Sequence, residues 1–139
     1  MSPQQKYLIR KSFAQLEDYG NIAALVFYRR LFELDPALRP LFKNNIEEQA
    51  AKLTEMLGAL ISRMEQTDLM ESELRQMGQR HANYGVLPAH YETVGTALLA
   101  MLEETLRADF TKPVREAWTT LYGALAEAMQ AGAGAVREE

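Results

Sequence analysis

At 139 residues, 47% apolar and 24% charged, the chain has the length and composition of one soluble globular domain with its own core, which excludes disorder or low complexity for most of it. It has no cysteine and only two histidines, which excludes disulfides, thiolate metal sites, iron–sulfur clusters, covalent CxxCH attachment of a cofactor and a structural zinc site. A net charge of −4 offers no basic stripe to nucleic acid. No uncharged apolar run is long enough to span a bilayer, and the opening MSPQQKYLIRK has no secretory apolar stretch, so a cytoplasmic protein is expected.

Alanine, leucine and glutamate dominate, and no stretch alternates apolar and polar residues for long, so helix is expected nearly throughout. Ser2-Pro3 with Gln5 reads as a capping box opening a helix to about Tyr19, stopped by Gly20. Asn21 is expected to cap the next helix, through Leu34, and Asp35-Pro36 opens a short segment that Pro40 keeps short. Asn45 with Glu48 reads as a second capping box, followed by Ile46, Ala50, Leu53, Leu57, Leu60, Ile61 and Met64 at helical spacing. Asp68 and Glu71 repeat the pattern for a shorter helix carrying Leu74, Met77, Gly78 and His81 and ending at Gly85. Pro88 begins a helix to about Arg107, and Thr111-Pro113 region begins the last, which is expected to fade into a flexible tail over residues 132–139. That leaves residues 1–131 as one all-α domain of six to seven helices.

Enzyme motifs are mostly absent. No GxGxxG, Walker loop or GxSxG occurs, and the adjacent acids Glu47-Glu48 and Glu103-Glu104 are expected to face solvent. Three residues stand out. His81 shares the apolar face of its helix with Leu74, Met77 and Gly78; alone, this spacing favours a satisfied core histidine over a metal ligand. Tyr28 lies in a helix apolar around most of its circumference, so its phenol either reaches the edge of the core or meets a partner or ligand there. Gln49, one turn before Leu53, reads alone as an ordinary exposed helical glutamine.

The combination says more. FYRRLFELDPALRPLF at 27–42, QAAKL at 49–53, RHANYGVLPAHYETVG at 80–95 and AWTTLYG at 117–123 resemble the globin family, most closely bacterial single-domain haemoglobins and the globin module of flavohaemoglobins. The resemblance covers essentially the whole chain. It implies an all-α globin fold around one non-covalent b-type haem. By the same resemblance His81 matches the proximal iron ligand, Phe42 the phenylalanine that packs on the porphyrin, and Tyr28 with Gln49 the distal pair that meets a gas ligand. Leu53 matches the apolar wall of the distal pocket and Tyr91 a tyrosine beside the proximal ligand. Val94 and Met77 would line the distal and proximal sides, with Lys52, Arg80 and His90 as partners for the propionates.

One departure bears on chemistry. Flavohaemoglobin-like globins carry a glutamate near the end of the last helix, bonded to the tyrosine and the proximal histidine, but the matching position here is Ala133, with Glu127 and Glu138 the nearest acids. Without that carboxylate His81 is expected to bond a backbone carbonyl, which disfavours peroxidase-like chemistry. Ala24 and Ala50 are small enough to let the second and fourth segments approach and bring Tyr28 beside Gln49. The expected activity is reversible binding of O2, NO and CO. The alternatives are dioxygenation of NO to nitrate with a separate reductase and, from another class, a haem-free helical regulator.

Overall fold

The computed structural model describes residues 1–42, 45–83 and 85–137, without the side chains of 67–69 and 135–137. Ser2 Oγ accepts from Gln5 N–H, and Ser2 N–H donates back to Gln5 Oε1, both at 3.1 Å. They open α1 (Pro3–Glu17). After a turn at Gly20, whose φ of +59° suits glycine, comes α2 (Ile22–Leu34). Asn21 stands at its N-cap but its side chain makes no capping bond, contrary to expectation. Asp35 Oδ1 accepts from Ala37 N–H at 3.1 Å and begins a 3-10 segment, Pro36–Leu41. Asn45 Oδ1 accepts from Glu48 N–H at 2.8 Å and opens α3 (Ile46–Ser62).

The next helix, α4 (Thr67–Asn83), has 17 residues, as long as α3 and not shorter; the expected Asp68 cap lies outside the described side chains. Then follow α5 (Pro88–Leu106), a 3-10 turn at Arg107–Asp109, and α6 (Lys112–Arg137). No strand occurs among the described residues, and no helix is long and apolar enough to cross a membrane.

The principal packing pairs are α4 with α6, α2 with α5, α1 with α6, and α2 with α3. Ile9, Leu31, Leu74, Met101, Leu102 and Trp118 form the fully buried centre. A polar joint crosses it. Trp118 Nε1–H donates to Ser12 Oγ at 2.8 Å, and Ser12 Oγ–H donates to Leu8 O at 2.7 Å, so a buried indole and a buried hydroxyl are both satisfied. At the surface Arg29 and Arg30 clamp Glu104 from α2 to α5 at 2.5 and 3.1 Å, so this acid is half-buried and not simply solvated. The two guanidiniums hold the Glu104 carboxyl below the ordinary glutamate range.

The tail departs from expectation. α6 continues to Arg137, and Gly132 and Ala133 are buried. Glycine inside a helix costs roughly 0.5–1 kcal/mol relative to alanine, which is why AGAGA reads as fraying. Here it is compensated by close approach: a Cβ on Gly132 would lie 2.0 Å from Arg75 O, and one on Gly78 would lie 1.8 Å from Met129 O. The helices α4 and α6 touch backbone to backbone at these two points.

Candidate haem pocket

One face of α2 is buried, with Ala24, Phe27 and Leu31, while Arg29 and Glu33 are exposed; that buried face carries Tyr28, which is 5% exposed. Its ring meets Phe27 and Phe42 edge-on, at 5.0 and 5.4 Å between centroids, and stacks on Phe32 at 6.0 Å. Burial pushes the phenol up to about 12, so it stays protonated and able to donate at neutral pH. Its Oη–H points to Gln49 O at 3.4 Å, a long and weak bond. Tyr28 thus reaches the backbone of Gln49; the Gln49 side chain is half-buried on the first turn of α3. Ala24 and Ala50 are both buried, so the small residues do sit in the packed α2–α3 pair.

Phe42 follows the 3-10 segment and is held by a residue that sequence reasoning missed. Arg39 Nη1–H donates to Phe42 O at 2.9 Å, and the same guanidinium lies 5.5 Å from the centroid of Phe32. Leu53 packs half-buried against the core. With Ala23, Ala24, Leu57 and Met101 it helps to line a small cavity.

His81 stands in the last turn of α4, half-buried. Its Nδ1 lies 2.7 Å from Met77 O. A carbonyl only accepts, so Nδ1 carries a proton, and in the neutral form of the ring Nε2 is the nitrogen that carries the lone pair. This is the backbone-bonded arrangement expected in the absence of a carboxylate; Ala133 is fully buried in α6, and Glu138 lies outside the described residues. Met77 is half-buried one turn before His81.

On α5, Tyr91 is buried and its carbonyl accepts from Tyr122 Oη–H at 2.5 Å. Tyr122, also unforeseen, lies over Gly95, where a Cβ would be 2.8 Å from Tyr122 Cε2. Burial, with the Tyr91 phenol nearby, keeps Tyr122 protonated far into the alkaline range. Val94 is half-buried against the core.

The expected propionate partners are spread out. Lys52 and Arg80 are exposed and make no ion pair among the described residues. His90 has a structural use: its Nδ1 accepts from Leu87 N–H at 2.9 Å, capping α5. The structure therefore joins Tyr28, Phe42 and Gln49 in one group, with Leu53 in the adjoining core. His81 is placed separately on α4, whose main packing partner is α6.

Among the described residues no group of three or more His, Cys, Asp or Glu could hold a metal ion. A metal at His81 must then bring most of its ligands with it, as a porphyrin does. One imidazole whose Nδ1–H is tied to a carbonyl, together with the separate aromatic and apolar group around Tyr28, fits haem.

A helical fold carrying these residues is that of a globin. Residues 25–129 match the globin family, and the chain belongs to it. It is 31% identical to the neuroglobin of Danio rerio, over 95% of this chain and 92% of that protein. It is 30% identical to the flavohemoprotein of Vibrio cholerae serotype O1, over 86% of this chain but only 31% of that protein. The kinship therefore extends to vertebrate neuroglobins as well as to bacterial flavohemoproteins, and the chain spans only about a third of the latter. The crystal structure of a hexacoordinated heme protein from an anhydrobiotic tardigrade shares the fold, with a TM-score of 0.84 at 18% identity, over 95% of this chain and 94% of that one.

Proposed function

We propose that this globin binds haem b through His81 Nε2 and takes O2, NO or CO reversibly beside Tyr28. The observation that carries the proposal is the 2.7 Å bond from His81 Nδ1–H to Met77 O, which selects the tautomer whose lone pair is on Nε2. When bound, haem supplies an iron that coordinates a diatomic gas. Tyr28 supplies a protonated phenol whose hydrogen bond to Gln49 O, at 3.4 Å, is weak enough for the hydroxyl to turn toward a polarised guest. Gln49 contributes an amide on the facing helix. Phe42 and Leu53 exclude water from the group, which strengthens any hydrogen bond made inside it. Phe42, Leu53, Val94, Met77 and Tyr91 are proposed to contact the macrocycle, with Lys52 and Arg80 outside as cations for its propionates.

Similarity to flavohemoproteins favours a second reading: one NO and one O2 become nitrate, with one electron supplied by a separate reductase. Both readings rest on haem, so titration of the purified chain with haemin is the first test. A saturable 1:1 complex with a Soret band that shifts on addition of CO supports them. A chain that takes no haem overturns both and leaves the alternative of a haem-free helical regulator. Nitrate formation from NO, O2 and a supplied reductase then separates dioxygenase from carrier.

A further inference from the structure

We propose that Gly78 and Gly132 are positioning residues for His81. By letting α4 and α6 touch backbone to backbone, they fix where α4 carries the histidine and hold α4 in place before haem arrives. The inference rests on the assignment of His81 as the axial ligand. Gly78 lies three residues before His81 and directly after Met77, whose carbonyl holds the imidazole at 2.7 Å. The ring therefore moves with this stretch of backbone.

The contacts are reciprocal. Gly78 faces Met129 O, where an added Cβ would be 1.8 Å away, and Gly132 faces Arg75 O, at 2.0 Å. Each pair of positions is three residues apart on its own helix, and the two run in opposite directions. Two such points set both the height and the rotation of α4 against α6, where one would set only the distance. Other glycines of α6 do nothing comparable: a Cβ on Gly123 or Gly134 would meet nothing within 4 Å.

The rest of α4 gives reason for the interlock. Its sequence, TDLMESELRQMGQRHAN, is mostly polar. Leu74 is buried, but Glu71, Ser72, Arg75, Gln76, Gln79 and Arg80 are exposed. A helix with so narrow an apolar face gains little from burial alone, and backbone contact with α6 supplies what its side chains lack.

Two measurements test this. In the wild-type chain stripped of haem, hydrogen exchange should find the amides of residues 76–81 protected to a degree comparable with those of residues 121–129 in α6. Free exchange in α4 beside a protected α6 overturns the inference. The second measurement compares Gly78→Ala with the control Gly134→Ala in the haem-loaded ferrous protein. Gly78→Ala should shift the iron–histidine stretching frequency and change CO association several-fold, and the control should do neither.

Both effects of Gly78→Ala should vanish in a His81→Gly background, where free imidazole supplies the ligand and the tether to α4 is cut. Equal effects in both backgrounds, or none in either, show a structural role only and overturn the inference. If Gly78→Ala fails to fold, the exchange experiment on the wild-type chain decides alone. A wild-type spectrum indifferent to loss of His81 refutes the ligand assignment itself. A His81-ligated haem on an α4 that exchanges freely refutes only the glycine interlock.

Discussion

Replacing Tyr28 by phenylalanine should speed O2 dissociation by about 10- to 150-fold. The substitution deletes one hydroxyl and keeps a ring that already packs against Phe27, Phe32 and Phe42 at 5.0 to 6.0 Å. The bond it gives up, 3.4 Å to Gln49 O, is long, so little of the effect comes from lost internal bonding. A hydrogen bond to a charged or strongly polarised acceptor contributes roughly 1.5–3 kcal/mol. At about 1.4 kcal/mol per factor of ten, that gives the stated range. Bound O2 draws negative charge onto its atoms and CO draws little, so CO dissociation should change far less. Gln49→Leu should act in the same direction, and the double mutant should show coupling if phenol and amide share one acceptor. Stopped-flow displacement of O2 by CO measures all three proteins. A change of only a few-fold for O2, or an equal change for both gases, refutes the donor role and leaves Tyr28 a packing residue.

Ser12→Ala should destabilise the chain by about 1–3 kcal/mol, because it strands the buried Trp118 N–H now bonded at 2.8 Å; chemical denaturation measures it. His90→Ala should remove the acceptor for Leu87 N–H and cost about 1 kcal/mol as a lost cap, with the axial spectrum unchanged; a changed spectrum transfers a ligand role to His90. Stability should also fall as pH rises between 10 and about 12, the unperturbed and folded values of Tyr28. There the unfolded chain loses a proton that the folded chain keeps, so the stabilisation is complete below pH 10 and lost through the folded value. Denaturation curves across that range should be less pH-dependent in Tyr28→Phe, and an unchanged slope contradicts the burial argument.

What the sequence disclosed was mostly local. The Ser2, Asp35 and Asn45 caps depend on residues within three positions of one another, and all three form. The burial of Tyr28 is also legible, because helical spacing sets it on one face with Ala24 and Leu31, both buried. Distant contacts were not legible. Arg39 carries no sequence signal of its role, because only the 3-10 segment turns it back onto Phe42 O and Phe32. Tyr122 finds Tyr91 O across 31 residues, which no spacing rule anticipates. The AGAGA stretch reads as fraying for the same reason. Glycine weakens an isolated helix, and only the approach of Arg75 O to Gly132 shows why that position is small. The Glu104 carboxylate, read as solvated, required the two arginines of α2 to explain it.

The central claim is that one imidazole nitrogen of this chain, His81 Nε2, holds haem iron. Ferrous absorption and resonance Raman spectra of the haem-loaded wild-type chain and of His81→Ala test it most directly. The account predicts an iron–histidine stretch in the wild type, its loss together with weakened haem retention in His81→Ala, and its recovery as an iron–imidazole band when free imidazole is added. A His81→Ala protein that retains haem with the wild-type stretch and no added imidazole contradicts the account.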